Sequence, residues 1–187
     1  MTDFKRHTPD SAPEPARPLL KGAQQQLGFV PNLYAHLAEA PAALSAYLEL
    51  SDLLGDTSLS PTEQQLLALA ISAENGCGYC MAAHSTIARH MVQVPSSIVD
   101  ALRDGAALEE PRLEALRRFA AAVVRDRGEV RGKHLEAFLA AGYTRQQAIE
   151  VLLGVALKTL SNYANHLFDT AVDEAFKAEA WSAKSAA

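Results

Sequence analysis

Cysteine is scarce in this chain, with two residues in 187, so a framework of structural disulfides is not available to it. Aromatic residues make up only 6%, and the dominance of alanine and leucine favours packed helices over a sheet. Positive charge is not in excess either. Lysine and arginine number 17 against 22 aspartate and glutamate, a formal net charge of -5, and they are scattered, which leaves no footprint for nucleic acid. Long uncharged apolar runs are missing, so no membrane span is expected. The opening Met1-Thr2-Asp3-Phe4-Lys5-Arg6 has no apolar segment behind it, so neither an anchor nor a secretory leader is expected. A glycine-rich phosphate loop and a fixed-period repeat are also absent. The expected setting is cytoplasmic, with no nucleic acid and no membrane as partner.

What is present is apolar content of 49%, enough for one domain with a sizeable core. Residues 1-18 hold four of the nine prolines, Pro9, Pro13, Pro15 and Pro18, and little that could be buried. They read as a flexible arm. From Leu19 the pattern is helical. Apolar residues recur at Leu33, Tyr34 and Leu37, then at Leu44, Tyr47, Leu48 and Leu50, with Pro41 restarting a helix. Ser60-Pro61-Thr62-Glu63 is a capping box, and Leu66, Leu67, Ala70 and Ile71 form the stripe behind it. Asn75-Gly76 ends that helix and a new one starts at Cys77, running to about Val92. Pro95 opens a short helix; 112-127 and 133-140 follow. Thr144-Arg145-Gln146-Gln147 is a second capping box, predicting a long helix with Ile149, Leu152, Leu153, Ala156, Leu157 and Leu160 inward. The expected fold is all-α, a single domain over 19-181, with a loose tail over 182-187.

The chemistry lies in Asn75-Gly76-Cys77-Gly78-Tyr79-Cys80, with His84 four residues beyond. The spacing puts two sulfurs and an imidazole on one helical face. In a reducing compartment such a pair is catalytic or metal-binding rather than a staple. Cys77, at the helix start, gains most from unpaired N–H groups and the macrodipole. Cys80 has His84 at i+4 to take its proton or hold its thiolate. On this reading either sulfur could attack. A zinc site from Cys77, Cys80 and His84, with His90, His134 or His166 as a fourth ligand, is the competing chemistry. Asn162, Asn165 and His166 neighbour one another on the last long helix, either lining a pocket or meeting another subunit.

The run Leu69 to Ser85, after the Leu59-Ser60-Pro61 helix start, resembles the signature of the alkylhydroperoxidase D-like branch of the carboxymuconolactone decarboxylase superfamily. Gly28 to Leu33, Asn162 to His166 and Asp173 to Phe176 resemble that branch too, so the likeness spans about residues 20 to 177. It implies an all-helical subunit, assembled as a homo-trimer or homo-hexamer, that reduces hydroperoxides without a bound cofactor. Cys80 would attack the peroxide, Cys77 would resolve the sulfenic acid as a disulfide, and His84 would belong to a proton relay. The reductant would be external, a thioredoxin-like or lipoylated protein. Two positions depart from the family pattern: its relay glutamate falls on Gln65, and its histidine between the cysteines falls on Tyr79. Glutamine cannot relay a proton as a carboxylate does. With Glu63 engaged as a cap, Glu74, three residues before Cys77, is the expected substitute. The alternatives are a redox sensor or interaction protein that reacts once, the zinc site, and a lactone-type decarboxylase, against which the cysteine pair argues.

Overall fold

The computed structural model describes residues 4-183. Among these it contains nine α-helices and two short 3₁₀ turns, and no strands. The helices are α1 (Arg17–Leu27), α2 (Asn32–Leu37), α3 (Pro41–Gly55), α4 (Pro61–Glu74), α5 (Gly78–His90), α6 (Ser96–Asp104), α7 (Pro111–Arg125), α8 (Lys133–Ala140) and α9 (Arg145–Phe168). The 3₁₀ turns span Glu14–Ala16 and Glu174–Glu179. No helix of the described residues is long and apolar enough to cross a membrane.

Helix α4 is the centre of the packing. It is covered by α5, α6, α7 and α9, which explains why Leu66 through Ser72 is buried without a break. A helix that is apolar almost all round can only sit inside. It starts on the expected capping box: Ser60 Oγ accepts from the Glu63 N–H while Glu63 accepts from the Ser60 N–H at 2.8 Å. Arg112 of α7 lies 3.1 Å from the same carboxylate. Burial pushes the Glu63 carboxyl up, but the Ser60 hydrogen bonds, joined by Arg112, more than offset this and hold it below its ordinary 4.5.

A depressed folded value has a definite sign. The stability that this carboxylate contributes is complete above the unfolded value, near 4.5, and is lost as pH falls through the lower folded one. Glu63→Gln is therefore expected to melt below the parent at pH 7, with the gap between the two melting temperatures narrowing as pH falls below the ordinary carboxylate value. A gap that does not narrow would contradict this role.

Helix α9 opens on the Thr144 capping box and crosses α4 at very short range. A Cβ on Gly154 would lie 2.5 Å from Leu67 Cδ2, so glycine at this point lets the helices approach. This contact fixes the rotation of α9 and corrects the expected inward stripe. Val151, Gly154, Leu157 and Lys158 face in, whereas Ile149 and Leu152 are 68% and 47% exposed. Tyr163 and Leu167 extend the same outward apolar row.

From His7 onward the expected arm is packed against the rest of the fold, while residues 1-3 lie outside the described residues. Ala12, Ala16 and Leu20 are buried in the core, the His7 N–H donates to the Ala35 carbonyl at 2.9 Å, and His7 Nε2 meets Glu39 Oε2. The prolines that suggested disorder set tight turns and helix starts: Pro15 lies in the first 3₁₀ turn and Pro18 in the first turn of α1. Their fixed φ suits both. At the other end, the turn Glu174–Glu179 lies along α5. Arg103 donates to the carbonyls of Glu179 and Ala180, and Trp181 Nε1 donates to the Arg103 carbonyl at 2.8 Å. Of the expected loose tail, Ser182 and Ala183 carry no regular structure, and 184-187 lie outside the described residues.

Candidate active site

Gly76 adopts φ +66, the left-handed turn that ends α4, and the Cys77 N–H closes it on the Ser72 carbonyl at 2.9 Å. Cys77 is then the N-cap of α5, in extended conformation, and its side chain caps nothing. Cys80 follows in the first helical turn. Both thiols are free and buried. Gly78 between them lies so close to the C-terminal segment that a Cβ would meet the Trp181 carbonyl oxygen at 2.7 Å.

A cavity of about 430 Å³ reaches Cys80, His84, Gln65 and Lys158, and Cys77 is not among its lining residues. Its walls are mostly apolar, with Phe29, Leu33, Tyr34, Tyr47 and Phe176 prominent. The two sulfurs are therefore unequal. Cys77 donates its thiol proton toward Cys80, and that hydrogen bond, with burial, pushes the Cys77 thiol up. The same bond is the largest influence holding Cys80 well below the usual thiol range, with Lys158 and Ser161 acting in the same direction against burial. Helix start alone favoured Cys77; the side chains around the pair reverse that order.

Helix α9 supplies the floor. Lys158, Ser161, Asn162 and Asn165 recur at i, i+3, i+4 and i+7 and are all buried, one face of a helix. Asn165 Nδ2 donates to Cys80 Sγ at 3.3 Å and lies 3.8 Å from Cys77 Sγ. Ser161 Oγ is 3.8 Å from Cys80 Sγ. Asn162 accepts from Asn75 Nδ2 at 2.9 Å and donates to Ser72 Oγ, tying α9 to the end of α4. Of the polar trio read from the sequence, Asn165 reaches the sulfurs, Asn162 braces the turn before them, and His166 is exposed.

His84 is held from both sides. Its Nε2 lies 2.8 Å from Lys158 Nζ and its Nδ1 2.9 Å from Gln65 Oε1. An ammonium only donates, so Nε2 accepts, Nδ1 carries the hydrogen, and the Gln65 amide presents its oxygen. Enclosure of the ring, and then the Lys158 charge, keep the imidazolium well below the usual histidine range. His84 is thus a neutral acceptor, and Gln65 fits that state.

Glu74 is not brought to the site. Its carboxylate faces Arg125 at 4.0 Å, because the left-handed turn at Gly76 interrupts the helical register that would have placed it beside Cys77. Tyr79 is committed elsewhere too: its hydroxyl donates to Asp173, which also accepts from the Asn32 N–H. Burial, then Asp173, push the phenol up. Lys158 was missed from the sequence, although a lysine on one face with Ser161, Asn162 and Asn165 is a polar stripe at helical spacing.

The fold and this site define an all-helical protein with a vicinal dithiol opening on an apolar cavity. The family model described as carboxymuconolactone decarboxylase matches residues 38–122. Alkyl hydroperoxide reductase AhpD of Azorhizobium caulinodans is 36% identical over 75 residues, 39% of this chain and 41% of that relative, so the match spans well under half of the relative's length. Among solved structures, an uncharacterized peroxidase-related protein with an alkylhydroperoxidase AhpD core, from Ralstonia eutropha JMP134, superposes with a TM-score of 0.81 at 27% identity, covering 94% of this chain and 96% of that one. A cysteine-to-alanine variant of the debrominase Bmp8, solved with 2,3,4-tribromopyrrole, superposes with a TM-score of 0.79 at 22% identity over 96% of both chains. The chain thus resembles the alkylhydroperoxidase D-like branch of the carboxymuconolactone decarboxylase family, in the family-model match over residues 38–122 and in fold.

Proposed function

We propose that this protein is a thiol peroxidase that reduces organic hydroperoxides with Cys80 as the attacking sulfur and Cys77 as the resolving one. The observation that carries this reading is their asymmetry. Cys80 lines the cavity beside Lys158 and accepts from Asn165 Nδ2 at 3.3 Å, whereas Cys77 lies off the cavity, and the surroundings lower the thiol of Cys80 and raise that of Cys77. A thiolate is the nucleophile that peroxide chemistry needs. Cys80 attacks the terminal peroxide oxygen, the O–O bond breaks, and Cys80 becomes a sulfenic acid while the alkoxide leaves as alcohol. Cys77 then forms the disulfide and releases water. An external dithiol, thioredoxin-like or lipoylated, reopens it.

The aromatic and aliphatic walls favour a peroxide with an apolar substituent. A zinc site fits poorly, because both His84 nitrogens are engaged and the neighbouring Lys158 would repel a dication. Cytoplasmic location and self-association as a trimer or hexamer belong to the same proposal, with the outward row of Ile149, Leu152, Tyr163 and Leu167 as the surface for a second copy; light scattering reads the latter.

With excess dihydrolipoamide, the reduced protein is expected to consume many equivalents of cumene hydroperoxide per subunit. Consumption that stops at one equivalent would replace the enzyme by a sensor. His84→Ala is expected to slow this turnover by roughly tenfold to a hundredfold in a protein that still folds, at a lower melting temperature because Lys158 Nζ loses its acceptor. An unchanged rate would remove His84 from the mechanism.

A further inference from the structure

Lys158 is 1% exposed, and none of the carboxylate ion pairs among the described residues includes it. Burying an ammonium without an anion is strongly unfavourable, so the groups that surround it have to explain it. One is the neutral His84, a hydrogen-bond acceptor but not a counter-charge. The other is Cys80, which lines the same cavity as Lys158 and whose thiol Lys158 helps to hold low. Gln65, on the far side of His84, adds no charge.

We propose that Lys158 is a catalytic residue with two successive tasks: its ammonium is the counter-ion of the Cys80 thiolate, and it then gives its proton to the alkoxide that leaves the peroxide. This assignment rests on the peroxidase reading. The step balances. Cys80 sulfur bonds to the terminal peroxide oxygen, the O–O bond breaks, the leaving oxygen takes a proton from Lys158, and the site passes from thiolate plus ammonium to sulfenic acid plus amine without change of net charge. Disulfide closure uses the Cys77 proton and the sulfenic hydroxyl as water, and Lys158 regains its proton from solvent.

The other hydrogen-bearing groups at the cavity are poor substitutes. His84 Nδ1–H is directed at Gln65 and the Tyr79 hydroxyl at Asp173, while the Ser161 hydroxyl, shared between the helix carbonyls and the sulfur, is an alcohol with no base to activate it. Tyr34 and Tyr47 are pushed up, chiefly by burial, and so release protons less readily than free phenols. Lys158 is the cation at the reacting sulfur, and its neutral neighbour His84 fixes the direction of the ammonium.

The test combines two readouts. In a Cys77→Ser background, the rate of Cys80 alkylation by iodoacetamide is followed against pH with lysine, methionine or arginine at position 158. In the two-cysteine protein, cumene hydroperoxide reduction is measured for the same three. Lys158→Met, close in volume and uncharged, is expected to raise the alkylation midpoint by at least about one pH unit. It is also expected to slow peroxide reduction by about a hundredfold or more even above the new midpoint, where thiolate is restored. Lys158→Arg is expected to keep the midpoint near the parent's but not the rate, because a guanidinium does not yield its proton. An unchanged midpoint in Lys158→Met overturns the counter-ion task, and full recovery of its rate at high pH overturns proton donation. Should Lys158→Met not fold, Lys158→Gln serves with the same expectations. If the parent reduces no peroxide but the midpoint still moves, the peroxidase reading fails, proton donation falls with it, and the counter-ion assignment stands.

Discussion

Cys80→Ser is expected to lower steady hydroperoxide turnover by at least about a thousandfold, because a serine hydroxyl in the same place is not ionised and oxygen is a weak nucleophile toward peroxide. Cys77→Ser should behave differently. The attacking sulfur is retained, so the variant is expected to consume one equivalent of peroxide and stop at the sulfenic acid, which dimedone labelling with mass spectrometry would place on Cys80. The contrast follows from the geometry: Cys80 lines the cavity and Cys77 does not. Equal residual turnover in both variants would show that the two sulfurs are not differentiated as described.

The largest expected effect on stability lies far from the sulfurs. Phe138 of α8 is fully buried, stacked between Phe119 at 4.4 Å and Tyr143 at 4.3 Å between ring centroids. The Arg112 guanidinium covers the outer face of Tyr143 at 4.1 Å, and the same side chain pairs with Glu63 at the start of α4. Removing the middle ring leaves a cavity that rigid helices on either side cannot close. Phe138→Ala is expected to cost about 3–5 kcal/mol, which for a chain of this size is a fall in melting temperature of roughly 10 °C. Because no part of this stack lines the thiol cavity, peroxide turnover well below the melting point should be nearly unchanged. A fall of only one or two degrees, or a loss of turnover in a folded sample, would contradict the separation of core and site. Together the cysteine and phenylalanine variants should dissociate chemistry from stability in opposite directions.

Local signals with a mechanism carried from sequence to structure. Both capping boxes form as written, at Ser60 and Thr144, and Asn75-Gly76 ends α4 so that α5 begins on the cysteines. These features depend on two to five neighbouring residues and elementary hydrogen bonding. The errors arose where tertiary contacts decide. Prolines in the first eighteen residues suit tight turns as well as disorder, and the burial of Ala12 and Ala16 depends on a groove built by other helices. The rotation of α9 is set by Gly154 against Leu67, a contact between residues 87 positions apart, so apolar spacing places Leu157 and Leu160 correctly but not Ile149, Leu152 and Ala156, which face outward. The same rotation brings Lys158 inward. A lysine is ordinarily solvated, and only the inward turn of Ser161, Asn162 and Asn165 shows that it belongs to the site. Beside Gln65 and a neutral His84, the charged side chain at the cavity is a cation, Lys158, and not a replacement carboxylate.

An anionic Cys80 in contact with the cavity, beside a Cys77 that remains a thiol, is tested most directly by the alkylation rate of each cysteine against pH in the reduced, metal-free parent protein, resolved by mass spectrometry of the peptides. Cys80 is expected to react first, with a midpoint well below the ordinary thiol value of 9.0, and Cys77 to stay unmodified across neutral pH. Two sulfurs that react alike, or a Cys80 that becomes reactive only above pH 9, would contradict it.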